Sequence, residues 1–175
     1  MSLTRVGGKS DGGIDLIGWW WLPDLVDQHA PRRRIRVLAQ CKAEKKKMGP
    51  HYVRETEGVL YRFMSDSVDS AEQPSPTVGL LLSQSAFTKE ALLRANSSRV
   101  PLFLLHIPQS EQSEQVQGAH FGSAVWNAAL GGEKGLLKGE IQARWEWPQD
   151  GNGIGRPGLW FRGRRLENWV ANEKQ

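Results

Sequence analysis

Two short apolar runs limit what this chain can fold into. Residues 77–83 (TVGLLLS) and 101–107 (PLFLLHI) are almost continuously apolar, which is typical of strands buried on both faces of a sheet. Between them, Ser85 or Thr88 can cap a helix that runs to Ala95. A strand, a helix and a strand in this order predict two parallel strands joined by a right-handed crossover.

The residues before these runs predict an antiparallel hairpin followed by a helix. Residues 14–21 are rich in aromatic and β-branched side chains, which favours a strand. Residues 35–43 alternate, with Ile35, Val37, Ala39 and Cys41 on one face and Gln40 and Lys42 on the other. The connection, 22–34, carries two prolines and is predicted to be solvated. Proline suits the first turn of a helix, so we expect a helix to begin at Gly49-Pro50 and to run to about Phe63.

The remaining segments are less regular. We expect loops at 65–76 and at 109–118, a short helix at 121–130 around Trp126, and a strand at 141–147 before a Gly/Pro turn region and an Arg/Trp-rich tail. The predicted fold class is therefore α/β, with a mixed sheet flanked by helices.

Composition excludes some classes of protein and permits others. A length of 175 residues suits one domain, and a single cysteine excludes an internal disulfide. No apolar run approaches the roughly 20 residues that cross a bilayer. The net charge of +4 permits nucleic-acid binding without establishing it.

A glycine-rich turn and the end of the second hairpin strand carry the residues with the clearest chemistry. The turn, GGKSDGGID at 7–15, ends in Asp15, and the strand ends in Gln40-Cys41-Lys42. If the two segments pair, an aspartate carboxylate, a glutamine oxygen and a lysine amine meet at one place. An oxygen-ligated divalent cation beside a lysine is suited to cutting a phosphodiester.

The same segments resemble a known superfamily. GGKSDGGIDLIGWWWLP, RVLAQCKAEKKKMGPHYVRETEGVL and VGLLLSQSAFTKEALLRA are similar to PD-(D/E)XK nucleases, in the Mrr-like type IV restriction endonuclease branch, where glutamine replaces the acidic residue before X-Lys. Within that branch they resemble the fungal mitochondrial "required for respiratory growth" nuclease-like family. The resemblance implies a restriction-endonuclease-like core across residues 1–175, with 131–175 as a basic and aromatic extension.

The resemblance also implies roles for single residues. Asp15, Gln40 and the backbone carbonyl of Cys41 would hold Mg²⁺ or Mn²⁺, while the Cys41 thiol packs inward. Lys42 would assist the attacking water or neutralise charge on the phosphate. Glu55 would stand in for an acidic residue that family members usually carry on a helix before this point. Because the chain opens almost inside its first strand, a fragment, a shortened gene model and a truncated variant are all open.

The implied partner is DNA and the implied location is mitochondrial. The candidate nucleic-acid-binding residues are a set of basic side chains and one hydroxyl at a helix start: Arg32, Arg33, Arg34, Lys45, Lys46, Lys47 and Ser85.

Each of these residues also has a plain structural interpretation. Asp15 can cap a turn, Gln40 can bond a neighbouring strand, Lys42 and Glu55 can be solvated, and Ser85 can cap a helix. Two further functions therefore stay open: a nucleic-acid-binding domain of this fold without cleavage, and a mitochondrial structural or assembly factor.

Overall fold

The computed structural model describes residues 1–8, 12–23, 32–68, 75–108, 122–147 and 155–167. A six-stranded sheet is formed by β1 (Ser2–Arg5), β2 (Leu16–Leu22), β3 (Arg33–Lys42), β4 (Thr77–Ser83), β5 (Leu102–His106) and β6 (Ser123–Trp126). In these described ranges the sheet is accompanied by the helices α1 (Pro50–Val68), α2 (Lys89–Ser97) and α3 (Ala128–Gly131). A second, three-stranded sheet consists of β7 (Ile141–Glu146), β8 (Arg156–Phe161) and β9 (Arg164–Arg165).

The strands of the larger sheet lie in chain order, β1-β2-β3-β4-β5-β6. The two central junctions, β3 with β4 and β4 with β5, are parallel, and the outer junctions are antiparallel. The predicted hairpin and the predicted parallel pair are both confirmed, and with them the mixed α/β fold class. No helix in the described part of the chain is long and apolar enough to span a bilayer.

Both faces of the central strands are buried, which explains their continuous apolar pattern. One face packs beneath α1 and α2 and includes Leu38, Leu81 and Leu104. The other face carries Val37 and Leu80 and is covered by residues from α3, from the segment after it and from the second sheet, among them Leu130, Leu137, Ile141 and Phe161. The alternation predicted for β3 is therefore confirmed, with Leu38 beneath the helices and Val37 on the opposite side.

Several predicted boundaries were wrong. Trp126 ends strand β6 instead of lying in a helix, because its backbone pairs with Phe103 and its ring packs edge-on against the Phe103 ring, 6.1 Å between centroids. Arg33 and Arg34 belong to β3 and not to the preceding loop, since they pair with Leu22 and Trp21. Helix α1 continues five residues past Phe63, to Val68, and strand β1 was not predicted. The polar segment 109–118 and the end of the tail lie outside the described residues.

A glycine in β4 brings helix α1 close to the sheet. A Cβ atom on Gly79 would lie 2.6 Å from Cδ1 of Leu60 and 3.1 Å from Cγ2 of Thr56, both on α1. The same atom would lie 3.1 Å from Leu102 on β5. The absence of a side chain at residue 79 therefore sets how deeply α1 packs, and with it the height of Thr56 above the sheet.

We expect Gly79→Val to lower the free energy of unfolding by about 1–3 kcal/mol, because a larger side chain overpacks this junction. Urea denaturation followed by circular dichroism measures the change. Gly58→Ala is the matched control, since no atom lies within 4 Å of its added Cβ and Gly58 lies inside α1. The control is expected to gain about 0.5–1 kcal/mol. Equal stability for Gly79→Val and the wild type would contradict the close packing.

Candidate functional site

Gln40 is a buried amide at the end of an otherwise apolar stretch of β3. Its side chain is turned towards α1, and only 4% of the residue is exposed. Nε2 donates to Oε1 of Glu55 at 2.9 Å, and the Thr56 hydroxyl donates to Oε1 of Gln40 at 3.2 Å. A buried amide without partners costs free energy, so these two α1 residues make the position of Gln40 tenable.

Lys42 lies on the same face of β3, two residues further along. Its Nζ is 3.8 Å from Oε2 of Glu55 and 5.2 Å from the centre of the Tyr52 ring. The lysine and glutamate side chains are 24% and 43% exposed. Partly exposed ion pairs of this length contribute little, on the order of 0–1 kcal/mol. Lys42 is therefore held near Glu55 but remains able to turn towards a ligand.

Asp15 precedes β2 and contacts the backbone of the residue between Gln40 and Lys42. Its Oδ2 accepts from the N–H of Cys41 at 2.7 Å, and its own N–H donates to the Ala39 carbonyl at 2.9 Å. The N–H and C=O of a strand residue point towards the same neighbouring strand, so the Cys41 carbonyl is also directed to the side of Asp15. Since β2 pairing stops at Leu16 opposite Ala39, this carbonyl lies beyond the paired region.

The glycine turn before Asp15 is anchored to α1. Gly12 and Gly13 both have positive φ, 63° and 87°, a conformation that other residues adopt at a cost. The Arg62 guanidinium donates to the Gly12 carbonyl at 2.8 Å. A Cβ on Gly13 would lie 3.0 Å from Val59 and 3.9 Å from Oε1 of Glu55. The turn thus passes directly beside the Gln40–Glu55 pair.

The side chains assembled here are hard oxygen donors. Asp15 and Glu55 are carboxylates, Gln40 carries an amide oxygen, and the Cys41 carbonyl lies beside Asp15; such oxygens suit Mg²⁺ and Mn²⁺. Within the described ranges, no three histidine, cysteine, aspartate or glutamate side chains form a metal-binding group. A cation would therefore need the Gln40 oxygen or a backbone carbonyl in addition to carboxylates. The donor chemistry fits such an ion.

Comparison with known proteins places the chain in a family. Residues 26–132 match the family described as "Required for respiratory growth protein 7". The chain belongs to this family. The matched segment contains Gln40, Lys42 and Glu55, whereas Asp15 lies before it.

Two curated relatives illustrate the similarity. An uncharacterised mitochondrial protein of Schizosaccharomyces pombe is 33% identical over 127 residues, which cover 71% of this chain and 42% of that protein. The mitochondrial "Required for respiratory growth protein 7" of Saccharomyces cerevisiae is 27% identical over 153 residues, covering 68% of this chain and 60% of that protein. The chain thus spans only part of their length. No solved structure matches.

These relatives agree with the expected location. Both are named as mitochondrial, which confirms the mitochondrial location that the resemblance implied. The family name connects the chain with respiratory growth, and it names no reaction, ligand or partner.

The candidate nucleic-acid-binding residues of this family member are scattered. Arg32 precedes β3, the Arg33 guanidinium donates to the Leu136 carbonyl at 3.1 Å, and the Arg34 guanidinium stacks over Trp19. Lys45, Lys46 and Lys47 are exposed in the turn after β3. The Ser85 hydroxyl donates to the Glu44 carbonyl, so it braces that turn. Of the two residues predicted to cap α2, Thr88 is the cap, and its Oγ1 accepts a hydrogen bond from the N–H of Ala91.

Sequence reasoning missed three contacts of the site. Thr56 supports Gln40 and also donates towards the Tyr52 carbonyl at 2.9 Å, while the Tyr52 hydroxyl bonds Glu44. That bond, followed by burial and the charges of Glu44 and Glu55, raises the pKa of Tyr52. The only signal in the sequence was a hydroxyl residue directly after Glu55. The prediction that the Cys41 thiol packs inward was wrong, because the residue is exposed.

The Cys41 thiol offers a direct test of where Asp15 lies. Although the residue is exposed, partial desolvation raises the pKa of its thiol, and the nearby Asp15 carboxylate raises it further. Removing that negative charge favours the thiolate, so Asp15→Asn is expected to lower the pH at which half of Cys41 is alkylated. Partial desolvation is expected to keep this pH above that of a free cysteine. Iodoacetamide labelling followed by mass spectrometry is unambiguous, because Cys41 is the single cysteine.

Asp66→Asn serves as the control for this measurement. Asp66 is an exposed aspartate of α1, and its substitution is expected to leave the labelling midpoint unchanged. An Asp15→Asn midpoint equal to that of the wild type would show that the carboxylate is not beside the thiol.

Proposed function

We propose that this chain is a metal-dependent nuclease of the PD-(D/E)XK type that hydrolyses phosphodiester bonds in mitochondrial DNA. The supporting observation is the meeting of Gln40, Lys42 and Glu55 at the end of β3, with Asp15 bonded to the intervening backbone. A lysine beside oxygen donors is an arrangement that suits phosphodiester hydrolysis.

The residues divide the chemistry between them. Asp15, Gln40 and the Cys41 carbonyl would hold Mg²⁺ or Mn²⁺, with Glu55 beside them. When bound, such an ion polarises the phosphate and acidifies a water molecule. Lys42 would then leave Glu55 for the scissile phosphate and neutralise its developing negative charge. Glu55, released from Lys42, would be free to orient the attacking water.

A cation between Gln40 and Glu55 would require the amide of Gln40 to be turned the other way round, since its nitrogen now faces Glu55. The Thr56 hydroxyl has one proton but faces two acceptors, the Gln40 oxygen at 3.2 Å and the Tyr52 carbonyl at 2.9 Å. Turning the Gln40 amide by a half-turn would let its nitrogen donate to Thr56, which in turn donates to Tyr52. The amide oxygen would then face the Glu55 carboxylate, and two acceptors at that spacing need a cation or a proton between them.

A second candidate function is nucleic-acid binding without cleavage. It is favoured by the fact that Glu55 already satisfies the Gln40 amide nitrogen and lies near Lys42. In that case the group is a buried polar contact that anchors α1 to β3. Glutamine is also a weaker ligand for a hard cation than a carboxylate.

Cleavage assays separate the two functions. Purified protein with supercoiled plasmid and Mg²⁺ or Mn²⁺ is expected to produce nicked and linear DNA, and EDTA is expected to stop the reaction. We expect Lys42→Ala to reduce the rate by about 10²-fold or more, because a charge beside the phosphate is removed. Lys134→Ala removes an equal charge from an exposed lysine that is not among the candidate site or DNA-binding residues, and it is expected to retain activity.

The outcome of the assay is decisive in either direction. Cutting that survives Lys42→Ala would point to a contaminant or to another site. Retention of DNA without cutting, in every metal tested, would favour the binding function.

The cation site has a test that does not depend on activity. Gln40→Glu places a second carboxylate against Glu55, where the present donor–acceptor distance is 2.9 Å. Without divalent ions, repulsion is expected to lower the unfolding temperature by roughly 3–10 °C. Mg²⁺ or Mn²⁺ is expected to restore it, because a cation compensates both charges. Differential scanning calorimetry with and without EDTA measures both effects.

The matched control is Gln142→Glu on β7. Gln142 is exposed and accepts from Arg144, so the new carboxylate gains an ion pair and no cation dependence is expected. A Gln40→Glu protein that divalent ions fail to stabilise would contradict the proposed site.

A further inference from the structure

Two arginines share one tryptophan on the exposed end of the β2–β3 hairpin. The guanidinium carbons of Arg34 and Arg36 lie 4.5 Å and 4.7 Å from the centre of the Trp19 ring. Trp19 pairs with Arg36 across the strands, and Trp21 pairs with Arg34. We call Trp19, Arg34 and Arg36 the Trp19 cluster.

The guanidiniums of the Trp19 cluster keep their hydrogen-bond donors available. Stacking on a ring uses the flat face of a guanidinium, while its five N–H donors lie in the plane. Within the described part of the chain, neither the Arg34 nor the Arg36 side chain forms an ion pair or a hydrogen bond. The donors are therefore open to a ligand.

Among the residues that the structure describes, no carboxylate pairs with these two charges. Partial burial lowers the pKa of Arg36, and the neighbouring Arg34 charge lowers it further. Two cations held together in this way are less stable than either alone, and an anion placed between them relieves the repulsion.

The position of the Trp19 cluster relates it to the candidate site. Arg34, Arg36, Gln40 and Lys42 alternate along one face of β3, the face that also carries Leu38 beneath the helices. At about 3.3 Å per strand residue, the backbone of Arg36 is roughly 13 Å from that of Gln40. A ligand that reaches both places spans at least this distance, and repeated negative charges would match the cations at both ends.

We propose that the Trp19 cluster binds the phosphate backbone of the nucleic acid on which the candidate site acts. The inference rests on the proposed function for the identity of the ligand. Guanidinium forks match phosphate oxygens in geometry, and repeated phosphates match two arginines in line with the site. Trp19 is a positioning residue that keeps both guanidiniums in place without occupying their donors.

Binding measurements test the proposal separately from cleavage. Fluorescence anisotropy of a labelled DNA duplex, in EDTA to prevent cutting, is compared for the wild type, Arg34→Gln/Arg36→Gln and the charge-matched control Arg99→Gln/Arg144→Gln. The first pair is expected to weaken affinity about tenfold or more. The slope of log affinity against log salt is expected to fall by about 1.8, or about 0.9 for each phosphate that is no longer neutralised.

Substitutions of Trp19 test the positioning role. Trp19→Leu is expected to weaken binding although both arginines remain, and Trp19→Tyr is expected to restore most of the affinity because it keeps a ring face. A structural role alone predicts a loss of thermal stability with no change in the salt slope. Melting temperatures of all variants are measured alongside.

Three outcomes would overturn the proposal. The first is equal affinity of the two double variants for DNA, and the second is absence of DNA binding by the wild type. The third is that Arg34→Gln/Arg36→Gln loses binding to DNA and to a poly-glutamate peptide equally, which would indicate a general anion site. Intact binding by the wild type without cutting, with the same weakening in Arg34→Gln/Arg36→Gln, would overturn hydrolysis and leave the phosphate-binding role standing.

Discussion

The buried amide of Gln40 is the constraint on which the arrangement of this protein depends. It follows Leu38 on the face of β3 that lies beneath the helices, and it is tenable only because Glu55 and Thr56 of α1 bond it. The register of α1 over β3 is therefore set by polar contacts as well as by the apolar side chains around them. A shift of one helical turn would leave the amide without partners.

Close backbone approach makes these contacts possible. Gly79 lets α1 descend onto the sheet, and Gly13 lets the turn before Asp15 pass beside Val59 and Glu55. Lys42 then follows Gln40 on the same face and reaches Glu55 from the open end of the strand. Groups from three distant segments of the chain thus meet at one strand end. Glycine is needed at residues 13 and 79 because a Cβ there would press against side chains of α1.

Sequence reasoning predicted the parts of this arrangement that follow from local patterns. Alternation in β3 and the continuous apolar runs of β4 and β5 identified the hairpin and the parallel pair, because burial on one or two faces leaves a direct trace in residue order. The grouping of Gln40, Lys42 and Glu55 was also expected, although from resemblance and strand alternation. Their role in catalysis remains a prediction.

Other features depended on tertiary contacts that no local window contains. Trp126 lies in a strand because Phe103, distant in sequence, pairs and packs with it. Arg33 and Arg34 look like a solvated run, yet they extend β3 because β2 is long enough to pair with them. The stacking of two arginines on Trp19 likewise follows from the register of that pairing.

The covering of the second sheet face has a consequence for how the family should be delimited. The segment that matches the family description ends at residue 132, but the apolar cluster on that face continues through Leu137, Ile141 and Phe161, all nearly inaccessible to solvent. A protein cut after residue 132 would lose part of the apolar cover over Val37, Leu80 and Phe103. Expression boundaries are therefore better drawn beyond β9 than at the end of the family match.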